Sequence, residues 1–192
     1  KQTSDGGYIV AGIIVPVGAP VDAWAIKLNG AGAIAWQKRY SGASGSDYIY
    51  SIQQTSDGGY IAAGFTNSFG AGGNDLWVLK FNSDGTVAWQ KTYGTTTNDV
   101  ARSIRQTSDG GYIVAGYNGT TPDILLLSLG ADGTIYFNST SSMTATNTSA
   151  TVTDTSATVS DTTVTDTNTA VTPSDSTATV TDTNATITQH AP

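Results

Sequence analysis

The side chains best equipped for chemistry are aspartates. Every acidic residue in the chain is Asp, there is no Glu, and His190 is the only histidine. Paired carboxylates can run glycoside hydrolysis or hold Ca2+. Asp5, Asp57 and Asp109 recur with a repeated motif, as do Asp22, Asp75 and Asp123, and Asp84 and Asp132 recur in hairpin sequences. A catalytic pair is needed once, whereas a turn aspartate is needed in every repeat, so recurrence points to structure. The first set is expected in Asx-type turns and the last in Asp-Gly hairpins. Asn82-Ser83-Asp84-Gly85 resembles part of a calcium loop without its bidentate Glu, so no cofactor is expected beyond an occasional Ca2+. His190 has no partners of metal-ligand or catalytic type near it in sequence and reads as solvated.

Two further groups have chemistry in reach. Trp24, Trp36, Trp77 and Trp89 could stack on sugars, but they recur at equivalent strand positions and are expected to pack inward between sheets. Arg102 and Arg105 replace Tyr50 and Gln53 of the preceding repeat and form the one local basic feature, a candidate interface for a carboxylate or glycan. A solvated strand face is the plain alternative.

What positions these residues is a repeat. QTSDGGYI occurs at residues 2–9, 54–61 and 106–113, with starts 52 residues apart. Such a period marks a repeated supersecondary unit. Ser-Asp-Gly-Gly predicts a tight turn, because Asp tolerates the left-handed region and Gly enters it without a Cβ clash. Tyr-Ile-Val-Ala-Gly or Tyr-Ile-Ala-Ala-Gly then predicts a strand. A variable loop leads to a second run opened by Asp22, Asp75 or Asp123. A hairpin turn and a third run (IAWQKRY, VAWQKTY, IYFNST) follow. DYIYSIQQ from Asp47 and DVARSIRQ from Asp99 make a fourth strand that leads back to the motif. Four short antiparallel strands per unit predict an all-β, propeller-like array of about three units. The first unit lacks its leading strand, so an edge of unpaired backbone groups is expected to need a cover.

These motifs resemble the propeller-type repeats of large secreted and surface proteins of bacteria and archaea. The resemblance covers residues 1–137 and implies a surface scaffold or interaction platform rather than an activity.

Residues 138–192 form a separate tail of Thr, Ser, Asp, Ala, Val and Asn, with weak repeats such as TVTDT. The tail has no aromatic core and should not fold alone, yet Thr and Val favour extended chain, so it can serve as an added strand. Extended, it reaches on the order of 180 Å at about 3.3 Å per residue. Ser/Thr-rich tracts with scattered Pro also read as O-glycosylated stalks. The candidate positions are Thr151, Thr153, Thr155, Thr163, Thr165, Thr167, Thr179, Thr181 and Thr183. N-x-S/T patterns stand at Asn118, Asn138, Asn147 and Asn184.

Net charge −7, with no Lys or Arg after Arg105, argues against nucleic acid or anionic membrane as a partner. The absence of cysteine removes disulfides and thiolate sites, and no apolar run is long enough to span a bilayer. No signal-peptide pattern is visible; Lys1 abuts the first motif, so the chain is expected to begin inside a unit, after processing or as part of a longer product. Together these readings predict a non-enzymatic, extracellular structural subunit that pairs with other copies and carries glycans. The alternative is a ligand-binding or glycan-binding surface module, using the loops at residues 13–21 and 66–74, with the tail as a stalk. A glycosidase ranks third.

Overall fold

The computed structural model describes residues 1–42, 44–119, 123–138, 144–147 and 151–154. The described chain is all-β, without a helix, and every strand pairing is antiparallel. The first sheet contains β1 (Tyr8–Ile14), β2 (Asp22–Leu28) and β3 (Ile34–Ser41). The middle sheet contains β4 (Asp47–Gln54), β5 (Tyr60–Thr66), β6 (Asp75–Phe81) and β7 (Val87–Gly94). The third contains β8 (Asp99–Gln106), β9 (Tyr112–Asn118), β10 (Asp123–Leu129) and β11 (Ile135–Asn138). Two short tail strands, β12 (Thr144–Asn147) and β13 (Thr151–Asp154), extend the middle and first sheets.

Local chemistry sets the turns. In the middle unit Thr55 N–H donates to Gly59 O at 2.9 Å and Gly58 N–H to Thr55 O at 3.0 Å, with Gly58 at φ +81°. Asp57 Oδ1 accepts Thr55 Oγ1 and the Gly59 N–H, which ties off the turn. The same bonds recur around Asp5 and Asp109.

The middle sheet is covered on both faces, which is why all seven residues of β6 are buried. Trp77, Leu79 and Phe81, with Tyr60 and Ala62, pack on Ile9, Ala23, Ala25 and Tyr40 of the first sheet. Leu76, Val78, Ile61 and Ala63 pack on Val114, Leu125, Leu127 and Leu129 of the third. Strand alternation sends these sets to opposite faces. Side chains also cross between sheets in a repeated pattern. Tyr40 Oη donates to Gly85 O at 2.7 Å and Tyr93 Oη to Gly133 O at 2.6 Å. Ser4 N–H donates to Gln54 Oε1, and Ser56 N–H to Gln106 Oε1.

One expectation needs correction. The four tryptophans do not all pack between sheets: Trp77 is fully buried and Trp36 and Trp89 pack partly against the two cores. Trp24 is only half-buried, because its face of the first sheet has no sheet opposite it among the described residues. The leading strands also depart from strict alternation. Register shifts between Ile49 and Ser51, and between Ala101 and Ser103, mark bulges at Tyr50 and Arg102. Ile49 and Ile52 consequently both enter the core while Tyr50 is 43% exposed.

Candidate functional site

The turn aspartates are held by their own turns. Lys27 Nζ lies 2.8 Å from Asp5 Oδ2, and Lys80 Nζ 2.8 Å from Asp57 Oδ2. The third unit has Ser128 where the others have lysine. The Lys27 ammonium, then Thr3 and the Gly7 N–H, hold Asp5 well below the usual carboxylate range. Burial raises Asp57, but bonds from Lys80, Thr55 and Gly59 outweigh it and bring its pKa to about 2. Thr107 and the Gly111 N–H lower Asp109, Thr86 lowers Asp84, and Thr134 lowers Asp132. Asp84 Oδ1 is occupied by Thr86 N–H and Oγ1, so the resemblance to a calcium loop resolves into a closed hairpin turn.

A second set of aspartates opens strands at the far end of the sheets. Asp22, Asp47 and Asp75 are buried, and burial raises the pKa of each above its ordinary 3.8. Thr66, Gly42 and Ser68 donate to Asp47, and Ala71 N–H donates to Asp75. Among the described residues no group of three or more His, Cys, Asp or Glu gathers as a metal site. Asp99 Oδ1 and Asn118 Oδ1 are both buried without a hydrogen-bond partner, at cross-strand positions. At the corresponding place in the middle sheet, Thr66 Oγ1 donates to Asp47 Oδ1. An Asn118 amide turned the other way would offer Asp99 an Nδ2–H donor.

These opposed shifts predict the pH dependence of stability. The lowered group (Asp5, Asp57, Asp84, Asp109, Asp132) contributes stability that is fully present above the unfolded value of 3.8 and is lost as pH falls through the folded values. The raised group (Asp22, Asp47, Asp75) binds protons more readily when folded, so the fold gains as pH falls from neutrality towards their raised values. Thermal melts from alkaline to acid pH should therefore show Tm rising as pH falls from neutrality and dropping below about pH 4.

Arg102 and Arg105 line an open cleft of about 370 Å3 along the leading strands, with Lys1, Ile9, Tyr50, Ser51 and Ser103 also in its wall. Arg105 Nη1 donates to Ile104 O at 3.0 Å. The Arg102 guanidinium carbon lies 4.5 Å from the Tyr50 ring centre and 5.4 Å from that of Tyr117. Tyr48 and Phe65 extend this aromatic surface, stacked 4.5 Å apart. The lining supplies cationic and stacking surface but no nucleophile paired with a base. Arg102→Ala should lower stability by only about 0.5–1 kcal/mol, as for an exposed cation–π contact, measured by urea unfolding.

The remaining tryptophans serve as joints. Trp36 Nε1 donates to Ser83 O at 3.0 Å and Trp89 Nε1 to Ala131 O at 3.1 Å, each reaching the hairpin turn of the next sheet. Trp77 Nε1 donates to Gln90 Oε1.

Edges are the least finished part of the molecule. Lys1 and Gln2 pair with Ile9 and Tyr8, as Gln53 and Gln54 pair with Ile61 and Tyr60. From Val10 to Ile14, β1 has no strand on its outer side among the described residues. At the opposite edge of the same sheet β13 pairs with β3, Val152 opposite Tyr40, and on the middle sheet β12 pairs with β7, Ala145 opposite Tyr93. The Thr-rich composition suggested strand addition without indicating these edges.

Of the glycosylation candidates, Asn118, Asn138 and Asn147 end β9, β11 and β12, and Thr151 and Thr153 lie in β13. Thr155, Thr163, Thr165, Thr167, Thr179, Thr181, Thr183 and Asn184 lie outside the described residues, as does His190. No helix among the described residues is long and apolar enough to cross a membrane. No family model matches the chain, and no curated protein matches it.

Proposed function

We propose that the protein is a structural subunit of an extracellular, glycosylated filament or surface layer, a propeller-like array whose copies join by exchanging tail strands. The observation that carries this reading is the pairing of β12 and β13 with the outer strands β7 and β3. Strand addition satisfies exposed backbone groups along a sheet edge and needs no specialised side chains, which suits a Thr-rich tail. The open edge of β1 supports it, as does the dedication of the aspartates to turns and strand ends. Sugars on the tail would keep it extended and soluble.

The test is negative-stain electron microscopy and intact mass on native full-length material, beside a full-length variant with Thr146→Pro and Val152→Pro. Proline removes a ladder donor in each tail strand. Filaments that disappear in the variant, with excess mass mapping to the tail, support the reading; monodisperse particles of bare polypeptide mass from both overturn it. Peptide mapping of the same material should find Asn118 unmodified, because its side-chain oxygen is buried.

The cleft at Arg102 favours a second reading, a binding module for acidic or aromatic-stacking ligands such as uronic sugars. Titration of a soluble glycan with a carboxylate, followed by Tyr fluorescence, would show saturable binding lost in Arg102→Ala.

A further inference from the structure

We propose that the open edge of β1 is an acceptor site for residues 182–187 of a second copy of this chain, inserted antiparallel as the leading strand that the first sheet lacks. The inference rests on the filament reading and specifies its joint.

The first observation is a sequence match. β4 reads Asp47-Tyr-Ile-Tyr-Ser51-Ile52-Gln53-Gln54 and β8 reads Asp99-Val-Ala-Arg-Ser103-Ile104-Arg105-Gln106. The tail contains Asp182-Thr-Asn-Ala-Thr186-Ile187-Thr-Gln189, the same order of Asp, hydroxyl, Ile and Gln at the same spacing. The anchor of this pattern is the isoleucine: Ile52 is 6% exposed and Ile104 0%. Ile187 supplies it, and Ala185 falls where Tyr50 and Arg102 bulge.

The second observation is a space kept for that strand. Gly12, Gly64 and Gly116 hold equivalent places in β1, β5 and β9. A Cβ on Gly64 would lie 1.9 Å from Tyr48 O, and one on Gly116 2.0 Å from Val100 O, because the bulged leading strand presses its carbonyl against the glycine. A Cβ on Gly12 would meet nothing within 4 Å. Gly12 thus carries the clearance without the strand that needs it. Copying the register of the middle sheet places Asp182 opposite Ile14, Asn184 opposite Gly12, Thr186 opposite Ala11 and Ile187 opposite Val10.

The third observation indicates that a second copy is the donor. The two outermost faces of the stack are apolar and complementary. On the third sheet Ile124 is 82% and Leu126 38% exposed, whereas their middle-sheet counterparts Leu76 and Val78 are fully buried against the next sheet. On the first sheet Tyr8 and Val10 are each 44% exposed, whereas their counterparts Tyr60 and Ala62 are buried against the preceding sheet. Stacking the third sheet of one copy on the first sheet of another repeats a joint the chain already makes twice. It also sets Ser108 N–H against Gln2 of the second copy, as Ser4 meets Gln54 and Ser56 meets Gln106. Such a contact is heterologous, so it propagates.

The experiment uses full-length protein with Gly12→Val (acceptor) or Ile187→Asp (donor), measured by size exclusion with light scattering and by thermal melts. The wild type should elongate, while each variant alone should fall to monomer. An equimolar mixture should stop at dimers, since it offers one sound edge and one sound donor per pair. Asn184 should be unmodified in the polymer, because a glycan there would stand against Gly12. Polymers that persist in both variants overturn the docking while leaving filament assembly through other tail strands intact. A monomeric wild type overturns the filament reading itself. A monomeric wild type whose Tm falls with Gly12→Val places the chain's own tail in the edge and overturns the second copy. Gly12→Ala, which adds one methyl to open space, guards against a folding defect from valine.

Discussion

Trp77→Ala should cost about 3–5 kcal/mol, the range for deleting a large buried aromatic and leaving part of its volume empty. The indole has no solvent exposure and sits in the core between the first and middle sheets, with Phe69 at 6.3 Å. Its removal also strips Gln90 Oε1, on a residue 8% exposed, of its donor. Trp24→Ala, the same change at the same repeat position, should cost about 1–2 kcal/mol, because half-burial leaves less area to lose. The two melts separate the positions by roughly 5–10 °C for a chain of this size. Equal losses would mean that the outer face of the first sheet is covered as fully as the middle one.

The contrast between these tryptophans shows what was legible in the sequence. The 52-residue period, the Asp-Gly-Gly turns and the strand following each turn were readable, because those turns depend only on neighbours in sequence. The missing leading strand was readable too, by counting runs between motifs. Burial at a repeat position was not, since it depends on whether another sheet stands opposite: among the described residues Trp77 has one and Trp24 does not. The bulges at Tyr50 and Arg102 were also hidden. Period-two alternation from Ile52 would bury Tyr50, and only the crowding at Gly64 and Gly116 reveals the extra residue. Pairing of the tail was the least legible, because a Thr-Val alternation fits almost any open edge and carries little register. As for the candidate interface, Arg102 and Arg105 were identifiable as departures from the repeat, but the ring of Tyr117, contributed by β9, was not.

Gly64→Ala should be the most damaging single methyl in the molecule, and its effect should depend on the unit in which it is made. The new Cβ would overlap a backbone carbonyl, which cannot rotate away as a flexible side chain can, so β4 or β5 must shift. Both strands belong to the sheet that is packed on two faces, and a shift there is resisted by both cores. Overpacking of a tight core costs about 1–3 kcal/mol, and with backbone displacement the expected loss at Gly64 is about 3 kcal/mol or more. Gly116→Ala meets the same obstacle at Val100 O, but among the described residues the third sheet has a sheet packed on one face only and can yield on the other, so its loss should be smaller. Gly12→Ala meets nothing and restricts the unfolded chain, so it should stabilise the monomer by about 0.4–1 kcal/mol. Urea unfolding of the three variants in the Ile187→Asp background, where the β1 edge is empty, should rank them in that order. Restoring Ile187 should then turn the gain at Gly12 into a loss, because the arriving strand brings its own carbonyl to the place where the methyl now stands.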